Sequence, residues 1–254
     1  MSGLSAPPEL EISTLAGTYE DVASEYYDSV RHPTCANFRA GSDLLLDQWL
    51  AKHPHRGSWI CEVGPGRSAV AEQLLRRGEP LDRLTLVDSS CIMLSYSMKW
   101  ATHGASLVVG DATALPLGSD TFDLIVSSLG DPYNTPGFWR EIQRVLRPGG
   151  QSFFTTPAYD WAVAFRSGAE DPEITSAAFD ISNGQHIAVP SWIYQPNQQQ
   201  NLIEAEGLRL DRVDQVPMRA LSSQRLSSKL VLDRGMDAAI VTGYSVTKAP
   251  EANS

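Results

Sequence analysis

An apolar run, an acidic residue and a turn with two glycines follow one another over residues 59–68. The residues after the turn place four apolar side chains on one helical face: Val70, Ala71, Leu74 and Leu75. This pattern predicts a strand, a tight turn at Gly64 and Gly66, and a helix. The N-terminus of such a helix offers free N–H groups and a positive dipole end, which suit an acidic ligand. An ordinary βα turn that binds nothing is the alternative.

Strand-like and helix-like segments alternate along residues 58–157. The pattern predicts five strands, at residues 58–63, 81–88, 107–109, 122–128 and 152–156. Short helical stretches separate them, which is typical of an α/β fold with a doubly wound, mostly parallel sheet and helices on both faces. Two later strands, at 208–216 and 238–246, have no clear helix between them. They predict a seven-stranded sheet with an antiparallel last strand.

We expect one domain over residues 1–254, with four parts in chain order. An N-terminal helical lid covers 12–57, with one helix from Leu15 to Tyr27 and another from Ser42 to Lys52. The cofactor-binding core covers 58–157. Residues 158–200 fit neither the helical nor the strand period and carry several aromatic side chains, so we expect a substrate cap inserted after strand 5. The C-terminal strands occupy 201–248.

Composition narrows the classes of partner. The chain has 254 residues and a net charge of −10, so a large nucleic-acid footprint is not expected. No apolar run is long enough to span a membrane, and the N-terminus does not resemble a signal peptide. Three cysteines without metal-like spacing indicate a reduced, cytoplasmic protein with no metal site. A homodimer is left open.

Five short motifs then occur in one order: Glu62-Val63-Gly64-Pro65-Gly66, Leu86-Val87-Asp88, Gly110-Asp111-Ala112, Phe122-Asp123-Leu124-Ile125-Val126 and Leu146-Arg147-Pro148-Gly149-Gly150. With this order and spacing, the chain resembles the class I S-adenosylmethionine-dependent methyltransferases, which have a Rossmann-like fold. The resemblance covers about residues 58–156. It departs from the family at Ser68, where a third glycine is frequent; serine is small and can cap the helix.

The resemblance implies S-adenosyl-L-methionine as cofactor and S-adenosyl-L-homocysteine as product. It implies that the glycine turn approaches the methionine part, that Asp88 accepts hydrogen bonds from the ribose hydroxyls, and that Asp111 and Ala112 contact adenine. These residues follow strand ends, where open α/β sheets bind their ligands. The expected cofactor-binding residues are Tyr27, Glu62, Gly64, Pro65, Gly66, Asp88, Ser89, Asp111, Ala112 and Ser128.

The candidate catalytic residues lie in two places. Asp131-Pro132-Tyr133 resembles the Asp/Asn-Pro-Pro-Tyr loop of amino-directed methyltransferases, with one proline missing. In that interpretation Asp131 orients an amine or phenol and Tyr133 stacks on the acceptor; a turn that begins the next helix is the alternative. His32 is a candidate general base near neutral pH, or else a packing residue in the lid.

We therefore predict an enzyme that methylates an oxygen or nitrogen atom of a small aromatic or apolar molecule. An RNA or protein methyltransferase and a cofactor-binding protein without transferase activity remain alternatives. A dinucleotide-dependent oxidoreductase also fits Gly64, Gly66 and Ala69, with Asp88 about twenty residues further on. The acid at Glu62, the acid at Asp111 and the two late strands all favour the methyltransferase instead.

Overall fold

The structure is a computed structural model that describes residues 14–53, 55–166, 174–221, 225–231 and 235–250. Its strands are β1 (Thr14–Ala16), β2 (Ile60–Val63), β3 (Leu84–Asp88), β4 (Ser106–Val109), β5 (Phe122–Ser127), β6 (Leu146–Pro157), β7 (Ile174–Asp180), β8 (His186–Ile193), β9 (Leu208–Pro217) and β10 (Ala239–Lys248).

Its α-helices are α1 (Tyr19–Val22), α2 (Pro33–Lys52), α3 (Ala69–Arg76), α4 (Cys91–Ser95), α5 (Met98–Ala101), α6 (Pro136–Val145), α7 (Tyr159–Arg166), α8 (Pro196–Ala205) and α9 (Ser228–Val231). Two short 3₁₀ turns occupy Asp131–Tyr133 and Met218–Leu221. Among these described segments, no helix is both long and apolar enough to cross a membrane.

Seven strands form the central sheet in the order β4-β3-β2-β5-β6-β10-β9. The pairs from β4 to β6 are parallel, and β10 runs antiparallel to both of its neighbours, β6 and β9. The sequence prediction of a mostly parallel, seven-stranded sheet with an antiparallel last strand is confirmed. The strand order reverses between β2 and β5, which is the point where such sheets bind ligands.

Helices cover both faces of this sheet, as predicted. Successive side chains of a strand point to opposite faces. Val126 therefore packs on the side of α2 and α3, with Trp49 and Leu74, while Ile125 packs on the side of α6 and α8. Each fully buried apolar side chain of this kind stabilises the fold by roughly 1.5–3 kcal/mol.

A second, three-stranded sheet has the order β1-β8-β7. β7 and β8 form an antiparallel hairpin, and β1 pairs with β8 in parallel, with Thr14 opposite His186. The prediction of one helix from Leu15 to Tyr27 was therefore wrong in part. Residues 14–16 are a strand because β8 offers them backbone hydrogen bonds, and only Tyr19–Val22 is helical.

The second lid helix also differs from its predicted bounds. It begins at Pro33 rather than Ser42. Proline suits the first turn of a helix, because the N–H that it lacks would have no partner there. The predicted cap contains α7, β7, β8 and the start of α8. Residues 12–13 and 54 of the predicted lid and 167–173 of the predicted cap lie outside the described residues, and the division into one domain stays a prediction.

Candidate functional site

A cavity of about 550 Å³ lies at the carboxyl ends of the parallel strands. Ten of the residues singled out from the sequence line it: Tyr27, Glu62, Gly64, Pro65, Asp88, Ser89, Asp111, Ala112, Ser128 and Tyr133. Gly66 belongs to the same turn but is not part of the wall. The structure thus brings residues from the lid, four strand ends and the loop after β5 around one space.

The glycine turn is in the left-handed region, with φ of 66° at Gly64 and 49° at Gly66. A tyrosine side chain packs closely against each of these glycines. A Cβ atom at Gly64 would collide with the hydroxyl of Tyr133, and one at Gly66 would collide with the hydroxyl of Tyr27. Glycine is needed at these two positions for the backbone conformation and also for the close approach of the two tyrosines.

Glu62 is fully buried beneath the turn. The hydroxyl of Ser68 donates to its carboxylate, and the N–H of Ala71 donates to Ser68 Oγ at 3.0 Å. Ser68 therefore caps α3, although it takes a left-handed φ of 62°. Burial raises the pKa of Glu62 to about 8. The carboxyl is thus largely protonated at neutral pH.

Asp88 ends β3 and points along the edge of the cavity. Its carboxylate accepts the backbone N–H of Ser90 at 3.0 Å and also those of Gly66 and Ser89. Burial raises the pKa of Asp88 to about 6 in spite of these hydrogen bonds. In the same loop, Ser90 caps α4 through the N–H of Met93.

Asp111 follows β4 and is exposed. Its carboxylate accepts the N–H of Thr113 at 2.7 Å and the hydroxyl of Thr113 at 2.8 Å, which closes a local turn. Ala112, between them, is buried. The turn leaves the second carboxylate oxygen of Asp111 without a protein donor among the hydrogen bonds recorded for the described residues.

The loop after β5 holds a strained residue. Leu129 has φ of 56°, and its N–H donates to Thr155 Oγ1 at 2.8 Å. The hydroxyls of Thr155 and Ser42 are also 2.8 Å apart, so α2 and β6 together fix this loop. Beside it, the buried hydroxyl of Ser128 has no hydrogen-bond partner within the described part of the chain. A left-handed leucine costs about 1–3 kcal/mol and is most often kept at functional sites.

Two arginines surround the ring of Tyr27. The guanidinium carbon of Arg67 lies 4.1 Å from the ring centroid, and that of Arg39 lies 4.8 Å from it. The backbone N–H of Arg67 donates to the Tyr27 hydroxyl at 2.9 Å, while burial raises the pKa of Tyr27 to about 12. Arg39 donates to the carbonyl of Tyr26 and forms no ion pair within 4.0 Å among the described residues. Sequence reasoning missed both arginines, because a lone cation carries no pattern, whether on α2, as Arg39 is, or in the glycine turn, as Arg67 is.

The three candidate catalytic residues occupy different places. Tyr133 lines the cavity, and its hydroxyl contacts the carbonyl of Val63 and the hydroxyl of Ser127, each at 2.8 Å. Asp131 is buried outside the wall, where its carboxylate accepts the hydroxyl of Ser191. His32 is also buried outside the wall, with its ring edge-on to Phe179. Burial lowers the pKa of His32.

The wall also contains residues that were not on the list of expected site residues. Trp192 enters it from β8, within the predicted aromatic cap, and Pro190 enters it from the same strand. Ser42 and Arg39 from α2, and Leu129 from the loop after β5, had no signal in the sequence. The spacing of residues in the sequence does not predict that β8 forms part of the cavity wall, because about sixty residues separate β8 from the loop after β5. Only the folded structure places β8 beside this loop.

Comparisons with known proteins agree with this geometry. The family described as "Methyltransferase domain" matches residues 61–154. The ubiquinone/menaquinone biosynthesis C-methyltransferase of Cereibacter sphaeroides is 30% identical over 174 residues, which are 63% of this chain and 68% of that protein. The chain belongs to the class I S-adenosylmethionine-dependent methyltransferase family. S-adenosylmethionine is accordingly its cofactor.

A second relative is the malonyl-[acyl-carrier protein] O-methyltransferase of Marinomonas sp., 29% identical over 172 residues. The match covers 66% of this chain and 57% of that protein, so the chain spans little more than half of its length. Among solved structures, the complex between the Haloferax volcanii Trm112 methyltransferase activator and its methyltransferase has a chain with a similar fold. The TM-score is 0.61 at 19% identity, over 93% of this chain and 97% of that one.

Proposed function

We propose that this protein transfers the methyl group of S-adenosylmethionine to a small, flat acceptor bound in the cavity. One observation carries the proposal: a single cavity joins the acidic strand ends of β3 and β4 to an aromatic wall from the lid and from β8. A cofactor and an acceptor can therefore meet in one enclosed space, as methyl transfer requires.

The residues around the cavity fit the cofactor. Asp88 is placed to accept hydrogen bonds from the ribose hydroxyls, and Asp111 has a free carboxylate oxygen for the adenine amino group. Arg39 is a half-buried cation that forms no ion pair within 4.0 Å among the described residues, although Asp43 on the same helix is an acidic neighbour. The cofactor's carboxylate would give Arg39 a direct partner. The unpaired hydroxyl of Ser128 suits a polar group of the same ligand. A volume of about 550 Å³ is within the usual range for a ligand pocket.

When bound, the cofactor supplies a methyl group on a sulfonium, which is its own leaving group. The protein has to align the acceptor and exclude water. Lid and cap supply the enclosure: Thr18 and Tyr19, just after β1, line the cavity together with Pro190 and Trp192 from the paired strand β8. Tyr133 is the one of the three candidate catalytic residues that we place against the acceptor.

The names of relatives, more than Asp131, guide the choice of acceptor atom. Asp131 was expected to orient an amine or a phenol, but the hydroxyl of Ser191 already donates to its carboxylate. The names of the two relatives point to carbon and oxygen. We therefore favour an oxygen or carbon atom of an aromatic or apolar molecule over a nitrogen atom.

The free thiols Cys35, Cys61 and Cys91 favour a cytoplasmic location.

Calorimetric titration with S-adenosylmethionine and S-adenosylhomocysteine tests the cofactor site. We expect dissociation constants of the order of micromolar for the wild type and no measurable binding for Asp88→Ala. Asp82→Ala, an exposed acid on the same βα unit, is the matched control and should bind as the wild type does. Binding of NAD, without binding of S-adenosylmethionine or S-adenosylhomocysteine, would favour the dinucleotide-dependent oxidoreductase instead.

Incubation with S-adenosylmethionine and a panel of acceptors tests the transfer. The panel contains 1,4-naphthohydroquinone, catechol and an aromatic amine, and mass spectrometry detects the added methyl group. We expect methylation of the hydroquinone or catechol and none of the amine. Cofactor binding without transfer to any member would favour the cofactor-binding protein without transferase activity.

A further inference from the structure

Strand β8 presents two different faces. Val189, Ser191 and Ile193 are buried, whereas Pro190 and Trp192, at the alternate positions, line the cavity. A strand places residues i and i+2 on one side, so Pro190 and Trp192 form a continuous patch of wall.

Trp192 is part of the cavity wall. It is half-buried, and its ring is not stacked on another aromatic ring within the part of the chain that the structure describes. Trp139, by contrast, packs on both Phe138 and Phe154. A flat apolar face in a cavity wall is a natural stacking surface for a ligand ring.

A buried amide network fixes the backbone at Trp192. Asn134 Nδ2 donates to the Trp192 carbonyl at 3.1 Å and to Gln199 Oε1 at 2.6 Å. Asn134 Oδ1 accepts from Trp139 Nε1 at 2.9 Å and from Gln199 Nε2 at 3.1 Å. Asn134 and Gln199 are both almost wholly buried, so the pair has exchanged water for protein hydrogen-bond partners.

A second anchor lies one residue away. The hydroxyl of Ser191 donates to the carboxylate of Asp131, which belongs to the same loop after β5. The polar side chains of Asp131 and Asn134 therefore both hold β8 in place and do not face the cavity. This loop lies on the β5 side of the sheet, away from the acids on β3 and β4 that we assign to the cofactor.

We propose that Trp192 is the surface on which the ring of an aromatic acceptor stacks, and that Asn134 is the positioning residue that holds it there. The inference rests on the proposed function and names the acceptor class: a flat, uncharged aromatic ring system. The carbonyl bond from Asn134 fixes where the indole enters the cavity, so loss of Asn134 displaces the stacking surface without touching the acceptor.

The test uses 1-naphthol as a probe for the acceptor, titrated into the protein saturated with S-adenosylhomocysteine. We expect Trp192→Ala to weaken naphthol binding about tenfold, as loss of one aromatic stack does, and Trp192→Phe to stay within about threefold of the wild type. Trp59→Ala, an exposed tryptophan outside the cavity wall, should leave the naphthol affinity unchanged. All variants should bind S-adenosylhomocysteine within about twofold of the wild type.

A double-mutant cycle separates positioning from general destabilisation. Asn134→Ala should weaken naphthol binding in the wild-type background and have no further effect in the Trp192→Ala background. If Asn134→Ala does not fold, Gln199→Ala, which removes the other half of the amide pair, replaces it.

Three results overturn the inference: no naphthol binding to the wild-type complex, the same naphthol affinity in Trp192→Ala and wild type, or loss of S-adenosylhomocysteine affinity in Trp192→Ala, which would assign the indole to the cofactor. Failure of the wild type to bind S-adenosylhomocysteine at all is a different result. It refutes the proposed function and removes the basis of this inference as well.

Discussion

At the scale of single residues, two acids at the cavity have unusual proton affinities. Burial raises the pKa of Glu62 from its ordinary 4.5 to about 8 and that of Asp88 from 3.8 to about 6. A raised carboxyl pKa means that the native state binds more protons than the unfolded state between the two values. The free energy of unfolding therefore falls as the pH rises through that window.

Glu62→Gln should remove most of this dependence. Between pH 5 and pH 8 the wild type should lose about 3–4 kcal/mol of unfolding free energy through Glu62, and the glutamine variant should lose correspondingly less. Glutamine can still accept the hydrogen bond from Ser68, so the cap of α3 is retained. Urea denaturation at a series of pH values measures the difference.

Glu141→Gln is the control for that experiment. Its hydrogen bonds from Arg144 lower the pKa of Glu141, so its contribution to stability is present above the ordinary pKa and is lost as the pH falls. This substitution should leave the decline between pH 5 and pH 8 as steep as in the wild type. An equally steep decline in Glu62→Gln would contradict the assignment of the effect to Glu62.

The sequence predicts a site residue well when its position depends on a local pattern, and poorly when it depends on a partner far away in the chain. Gly64, Asp88 and Asp111 follow strand ends, and the strand pattern alone locates them. Asp131 also follows a strand, but its partner Ser191 comes from a strand whose position no local pattern reveals. The sequence therefore places Asp131 in the loop after a strand, but it does not reveal that the Ser191 hydroxyl donates to the Asp131 carboxylate.

At the scale of elements, β1 joins the lid to the cap. Gly17 follows β1, its N–H donates to the carbonyl of Ala188, and a Cβ added to it would collide with the side chain of Ile187. The propensity of residues 15–27 favours a helix, and the pairing with β8 overrides it. β2, β3 and β5 escaped such errors, because strands covered on both faces have nearly continuous apolar sequences that identify them without long-range contacts.

Gly17→Ala should detach β1 from β8. We expect hydrogen exchange to accelerate at the amides of residues 186–188, while those of β2 keep their protection, since the central sheet does not depend on this contact. Leu15→Ala, a truncation of an exposed side chain on the same strand, is the control and should change neither. Unchanged exchange in β8 of Gly17→Ala would show that the added methyl group is accommodated without loss of pairing.

At the scale of the whole molecule, charge disfavours a polyanionic partner. The chain has 20 Lys and Arg against 30 Asp and Glu. Several of the arginines are also paired with acids: Arg140 with Glu206, Arg144 with Glu141, Arg147 with Asp123, Arg209 with Asp211 and Arg212 with Asp214. Little positive field is left to attract phosphates.

The RNA alternative can therefore be tested directly. A fluorescein-labelled single-stranded RNA should show no saturable rise in polarisation up to about 10 µM protein at physiological salt, with or without S-adenosylhomocysteine. A saturable rise that weakens steeply with added salt would identify a basic surface and favour an RNA methyltransferase.

The pairing of Thr14–Ala16 with residues 186–188 also orders events during synthesis. β1 cannot form its pairing with β8 until β8 has left the ribosome. At 5–20 residues per second this is a delay on the order of 10–30 s. The strands of the parallel core are all translated within that time. The nascent protein therefore has its ligand-binding strand ends before β1 and β8 can pair above them, and of the described strands only β9 and β10 are translated later.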